Sequence, residues 1–365
     1  MRRKFLSVVL CVCMMLTMAP FAFAAGETAI TATTTDLSSG TYILEDDVTL
    51  TSGALTIPTG ANVTSKKLTN KDGNHTIVNN GTLTITGSGT VDNISNSRAA
   101  LYNNAGATAT LNGGTYTRSH EAGQDKDTSG GNSYYTLKNF GSMTINSGVT
   151  VNQDGTTNGG TTGKYSSLVA NGWYDASKNG SNGEPTPTAE AVLTINGGTF
   201  SGGLNTIKND DYGTLTINDG LFKNYAQCAF FNANKATING GTFVNDGTRG
   251  VVYTYAKWNE TYGQGILNIN GGVFVTSGTS IIEKNNNTAT VNITGGVFSK
   301  EIPGSTAKGG LYVYPSTNPV AKIGDFKFSN LADAIYVSQT NDTVTLLSDI
   351  SGHGNVTDGK NIVLD

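Results

Sequence analysis

The chain has 365 residues, with 23 Lys and Arg against 27 Asp and Glu, and only 14% of its residues are charged, compared with about 25% in an average domain. A mildly acidic chain without a basic run lacks the electrostatic footprint of a nucleic-acid binder or of a protein held on an anionic membrane surface. The 47 glycines would suit disorder, but Leu, Ile, Val and Phe recur periodically and call for a packed core.

The chain opens with Arg2, Arg3 and Lys4, an apolar run from Phe5 to about Met18, Pro20, and the small-residue pattern Ala22-Phe23-Ala24. A charged region, a short apolar core and an A-x-A site predict a secretory signal peptide over residues 1–24, cleaved after Ala24. The run is too short for a good membrane span, and Cys11 follows Leu10 rather than a small residue, which argues against a lipoprotein anchor. No second apolar segment of membrane length follows, so the expectation is a secreted or cell-surface chain without membrane insertion. Of the three cysteines only Cys228 survives cleavage, leaving no internal disulfide.

Residues 25–320 are dominated by one octet. It reads LTITGSGTV from Leu83, ATLNGGTY from Ala109, MTINSGVTV from Met143, LTINGGTF from Leu193, LTINDGLF from Leu215, ATINGGTF from Ala236, LNINGGVF from Leu267 and VNITGGVF from Val291. The shortest spacings give a period of about 22 residues, which is that of a β-solenoid rather than a propeller blade. Alternation sends Leu and Ile inward and Thr outward. Asn-Gly-Gly then supplies a turn, and the closing Phe, Tyr or Val points inward again. A second apolar strand ending in Asn precedes each octet, as in HTIVNNG, YTLKNFG and NTIKNDDYG; Asn at equivalent turns of stacked coils can form a hydrogen-bonded ladder. The predicted fold is all-β: a right-handed parallel β-helix, its hand carried over from other parallel connections. About 8–11 coils would give a rod of roughly 40–50 Å, its first coils falling in Thr41 to Thr64.

Residues 321–365 read as the start of a further module. A short helix is expected after Ser329 as N-cap, with Leu331, Ala334, Ile335 and Val337 or Ser338 as its buried stripe. The strand TVTLL follows. NVTDGKNIVLD then resembles LTIPTGANVTS of the first coils, so the chain reads as a piece of something longer.

The octets, together with AKIGDFKFSNLADAI and NDTVTLLSDI, resemble the large repetitive surface proteins of Firmicutes, many from gut communities. Their modules are similar in fold to the pectate-lyase-like superfamily. The resemblance covers most of the mature chain; it is specific for architecture and poor for activity, and it implies cell-surface adhesion or glycan contact.

Parallel β-helices also carry lyases and hydrolases. Asn209-Asp210-Asp211 and Gly352-His353-Gly354 superficially resemble polygalacturonase motifs, but they lie far apart in the chain instead of on neighbouring coils. Asp210-Asp211, before a Tyr-Gly turn, reads as a solvated loop, and His353 as a loop residue. Arg98, Arg118 and Arg249 stand beside no acidic cluster, His75 and His120 lack metal-ligand spacing, and Asp46-Asp47 and Asp210-Asp211 remain candidate calcium ligands only as scattered pairs. Cys228 is expected to be an inward-facing structural thiol. The outward row Thr84, Thr144, Thr194, Thr216 and Thr237 serves β-propensity. No catalytic residue, metal or cofactor is assigned.

Both tryptophans of the mature chain fall in insertions that interrupt the coil just before the octet strand. One runs from Gly172 to Glu190 with Trp173 and Tyr174; the other spans Tyr253 to Gly265 with Tyr253, Tyr255, Trp258 and Tyr262. They are expected to protrude from the same edge, three coils or about 14 Å apart, and to offer aromatic platforms to a short oligosaccharide. A third, polar insertion from Ser119 to Asn132 leaves at a different turn. The expected role is a non-catalytic adhesin, spacer or glycan-contacting module with a glycan or host-surface ligand; the alternative is a polysaccharide lyase or glycoside hydrolase acting on acidic glycans.

Overall fold

A computed structural model describes residues 27–32, 34–35, 37, 40–43, 48–50, 55–57, 61–64, 67–70, 73–95, 98–118, 134–153, 167–176, 184–256, 261–285, 288–350, 356 and 362–365. The expected leader, Asp46-Asp47, His120, Trp258 and His353 lie outside them.

Three sheets wind into a right-handed parallel β-helix. Within a coil the chain visits the second sheet, then the first, then the third. Among the described residues the first sheet has eleven strands, from Glu27–Ala29 to Thr290–Ile293, and contains the octet strands; the second has nine, from Leu55–Ile57 to Ile282–Lys284. The third has twelve, of which all but Leu311–Tyr314 and Thr306–Lys308 run parallel. Equivalent octet residues pair coil upon coil: Leu83, Ala109, Met143, Leu193, Leu215, Ala236, Leu267 and Val291 share one row, with the Thr row beside it. Thr82–Ile85, Thr108–Leu111 and Ser142–Ile145 alternate exposed, buried, half-buried, buried, as period-two strands with one wet face must.

Stacked columns fill the inside of the rod, and three of them show how each coil is held to the next. Ile85, Leu111, Ile145, Ile195, Ile217, Ile238 and Ile269 form an aliphatic one. Phe200, Phe222, Phe243, Phe274 and Phe298 stack nearly flat, with centroids 4.9, 4.6, 4.9 and 5.2 Å apart. The third column is polar. Asn79 donates to Asn103, Asn103 to Asn139 and Asn139 to Asn171, each at 2.7 Å. Asn171 donates to Asn209 and Asn209 to Asn232 at 2.9 Å, and Asn232 ends the series on the Thr254 hydroxyl at 3.4 Å. The same amides also reach backbone carbonyls, as Asn79 does to Thr108 and Asn139 to Val192, so the buried corner is satisfied. Gly213 is required here: a Cβ on it would lie 2.5 Å from Asn209 Oδ1. A second amide ladder lines the outer turn after each octet strand. Asn146 donates to Asn112, Asn196 to Asn146, Asn218 to Asn196, Asn239 to Asn218 and Asn270 to Asn239, at 2.7–3.0 Å. Gly198 turns the chain beyond it at φ +103, with a Cβ position 2.8 Å from Val149 O.

The C-terminal strands Ala321–Ile323, Phe326–Phe328, Thr343–Leu346 and Val363–Leu364 form a small sheet with the helix Leu331–Val337. This unit packs sideways against the rod: Ala321, Ile323, Phe328, Ala334, Val337 and Val344 bury Val273, Val297 and Val313 of the third sheet. The helix departs from expectation at its start. Asn330, not Ser329, is the N-cap; it holds the extended φ of −146° and accepts from Asp333 N–H. Leu331 is only half-buried, and Asp333 takes a buried place beside Ala334, Ile335 and Val337, because its carboxylate accepts Gly272 N–H from the rod at 2.8 Å. Among the described residues no helix is long and apolar enough to cross a membrane.

Candidate functional site on the outer face of the second sheet

The middle position of each second-sheet strand points away from the core. In register, these positions are Val78, Tyr102, Lys138, Ala170, Lys208, Phe231, Tyr253 and Glu283. Most such rows on a β-helix are polar and wet. This one is largely covered, and it carries aromatic and charged groups in sequence along the axis.

Its N-terminal part is an aromatic chain. His75 stacks on Tyr102 at 4.3 Å, and Tyr102 meets Phe140, Phe140 meets Trp173, Trp173 meets Tyr212 and Tyr212 meets Tyr262 at 4.9–5.9 Å. Burial, then Arg98 and Arg118, lower the His75 pKa to about 4, so its ring is neutral and its Nδ1 accepts Ala99 N–H at 2.8 Å.

Trp173 sits in the middle of this chain and is fully buried. Its Nε1 donates to Pro185 O at 2.7 Å, and its backbone exchanges hydrogen bonds with Asp211 at 2.9 and 3.0 Å. The expectation of a Trp173 platform is therefore corrected: the ring fastens its own insertion to the rod. Tyr212, on the turn between the two insertions, meets both: its ring contacts Trp173 of the first, and its N–H donates to Tyr262 O of the second at 2.7 Å. Tyr212 adopts a left-handed φ of +58° to make that bridge.

Asp210 and Asp211 also differ from expectation, for both are fully buried. Asp211 Oδ2 accepts Ala176 N–H at 3.4 Å, which holds the turn after Trp173. Asp210 lies 2.8 Å from Lys208 Nζ. Lys208 is flanked by the rings of Tyr174 at 5.3 Å and Phe231 at 5.6 Å. Burial alone would lower the Lys208 pKa, yet the charges and hydrogen bond of its partners, Asp210 foremost, hold it above the usual lysine range. Two coils below, Lys138 is fully buried; it donates to Gly172 O at 2.8 Å, lies 3.1 Å from Glu184, and faces the Phe140 and Tyr135 rings at 4.5 and 4.7 Å. Glu184 in turn accepts Tyr174 N–H at 3.0 Å and so fixes the position of Tyr174.

Tyr174 is the exposed member, with 49% of its surface open. Beyond Lys208 the strip continues through Phe231 and Tyr253, 5.4 Å apart, to Arg249, which lies 4.9 Å from the Tyr253 ring and 2.6 Å from Glu283. Tyr253 is 93% covered, so it contributes an edge rather than a platform, while Tyr255 and Tyr262 are half-buried. Arg249, read from sequence as beside no acidic cluster, pairs with the single carboxylate of Glu283. Cys228 is buried as expected, but it packs with Phe231, Ala233 and Tyr253 instead of in the main core, and its thiol meets Asn205 Oδ1 at 2.8 Å.

Sequence reasoning passed over Lys138, Lys208, Glu184, Phe231 and Glu283. A signal was present for Lys138, Lys208 and Phe231: each is the residue just before the ladder Asn, in YTLKNFG, NTIKNDDYG and AFFNANK.

Comparisons with protein-family models, with curated proteins and with solved structures find no match. Among the described residues no group of three His, Cys, Asp or Glu side chains is placed to hold a metal ion.

Proposed function

We propose that this protein is a secreted or cell-surface, non-catalytic β-helix whose second-sheet face contacts glycans, serving as an adhesin or spacer module. The observation that carries the reading is Tyr174: a half-exposed ring beside Lys208, on a turn fixed by Glu184, in a row that continues from Lys208 through Phe231 and Tyr253 to the Arg249–Glu283 pair. Carbohydrate sites combine such a ring, on which the C–H face of a sugar stacks, with a few fixed polar groups that orient its hydroxyls. The leader-like N-terminus and the resemblance to repetitive Firmicutes surface proteins support the location. The alternative, a lyase or hydrolase, has carboxylates and a lysine on the same face in its favour. Against it, Lys208 is held protonated and so is a poor base, and Asp210 and Asp211 are buried.

Retention on an oligosaccharide array, lost in Tyr174→Ala with an unchanged melting temperature, is the expected result. Equal retention by that variant removes the site from consideration. Release of reducing ends or unsaturated products from polysaccharides reassigns the protein to the enzymes.

A further inference from the structure

Resting on that reading, we infer that the strip is built for uncharged sugars and discriminates against acidic glycans. The reason lies in how its cations are placed. Lys138 has Glu184 at 3.1 Å, Lys208 has Asp210 at 2.8 Å, and Arg249 has Glu283 at 2.6 Å. Among the described residues, the three cations of this stretch of the face each touch a carboxylate. The first two pairs are deep, with side-chain exposures of 0% and 7%, and 14% and 0%. Asp175 and Asp211 add two further buried carboxylates under the same turn. Among the described residues, a uronate approaching Tyr174 thus meets cations that are already paired, with carboxylates beside them, where a like charge costs several-fold in affinity.

What the strip does offer suits a neutral ring. The Tyr174 ring is 49% exposed, and Lys208, packed against it at 5.3 Å, stiffens it from beneath. Arg249 and Glu283 form the open rim, with 42% and 31% of their side chains exposed. Their remaining N–H groups and oxygen lone pairs donate to and accept from hydroxyls without breaking the pair. This is recognition by stacking and neutral hydrogen bonds, so it should be insensitive to ionic strength, whereas a cation–carboxylate contact at an exposed rim is screened by salt.

The test measures binding of the full chain to length-matched neutral oligosaccharides (cello-, xylo- and malto-series), to oligogalacturonate and to chitosan oligosaccharides, at low and high salt. Binding is expected within the neutral panel, unchanged by salt, with oligogalacturonate weaker by about tenfold or more. Glu283→Gln, on an exposed edge strand, is expected to free Arg249 and to gain salt-sensitive binding of oligogalacturonate. Equal or tighter binding of oligogalacturonate by the unaltered chain, preference for chitosan oligosaccharides, or loss of neutral binding on adding salt overturns the inference while leaving the carbohydrate reading in place. Retention of none of the oligosaccharides overturns both.

Discussion

At the scale of single residues, the deepest dependence is on the buried amides. Each interior Asn from Asn103 to Asn209 donates to one ladder neighbour and accepts from the other, so removing one orphans groups above and below it. Asn139→Ala should cost about 2–4 kcal/mol, the sum of a lost interaction and of unsatisfied partners. Asn196, on the exposed outer ladder, should cost under about 1 kcal/mol because water replaces its partners. Urea unfolding of the two variants measures the difference, and equal losses would contradict the assignment of the interior ladder as the structural one. The same logic applies to Lys208 and Asp210. Asp210→Asn leaves a buried lysine without its countercharge and should cost about 3–5 kcal/mol, whereas Lys208→Met with Asp210→Asn together should recover much of the loss.

At the scale of elements, the C-terminal helix is joined to the rod through Asp333. Burial raises its pKa from 3.8 to about 7, offset in part by its hydrogen bonds from Gly272 N–H and Asn330, while Asp219 is the charged group that adds to the rise. An acid whose folded pKa exceeds its unfolded one stabilises the docked state below pH 3.8, and that advantage is lost as pH climbs to about 7. Protection of the Gly272 and Phe328 amides from hydrogen exchange should therefore fall, relative to the octet strands, between those pH values and level off above. Asp333→Asn should flatten the profile; a profile unchanged by that substitution would assign the pH response to another group.

This is also the scale at which sequence reading succeeded and failed. The octet announced the first sheet because Leu, Thr, Ile and Asn recur at fixed offsets, and each offset has one physical meaning. The helix was visible too, but Ser329 and Asn330 are both good caps, and only the backbone dihedral at Asn330 separates them. The candidate site was less legible. Lys138 meets Glu184 across 46 positions of sequence, and Asp211 meets Trp173 across an insertion, so no local pattern joins them. An Asp-Asp before Tyr-Gly reads as a wet turn until the fold lays a tryptophan over it.

At the scale of the whole molecule, the sheets end differently. The third sheet is closed by the antiparallel strand Leu311–Tyr314, and its outer valines are covered by the C-terminal unit. Ending the chain after Ser299 would bare Val273 and Val297 together with the edge of Gly296–Phe298. Exposed apolar edges pair with other chains, so this truncated protein should elute as oligomers in size-exclusion chromatography at concentrations where the full chain is monodisperse; identical elution would show that the C-terminal unit shields nothing.

The two asparagine ladders run in opposite senses. The interior one donates toward higher residue numbers and the outer one toward lower. Their amide dipoles therefore oppose one another along the axis instead of adding. A mechanical consequence also follows. Tension applied between the ends of the rod loads the coils from Asn112 to Asn232 through both ladders at once, and a coil at an end has a free face from which to peel. Stretching a tethered molecule should therefore release length in steps of about one coil, roughly 75 Å for a 22-residue turn of chain, like a coil of rope paid out turn by turn.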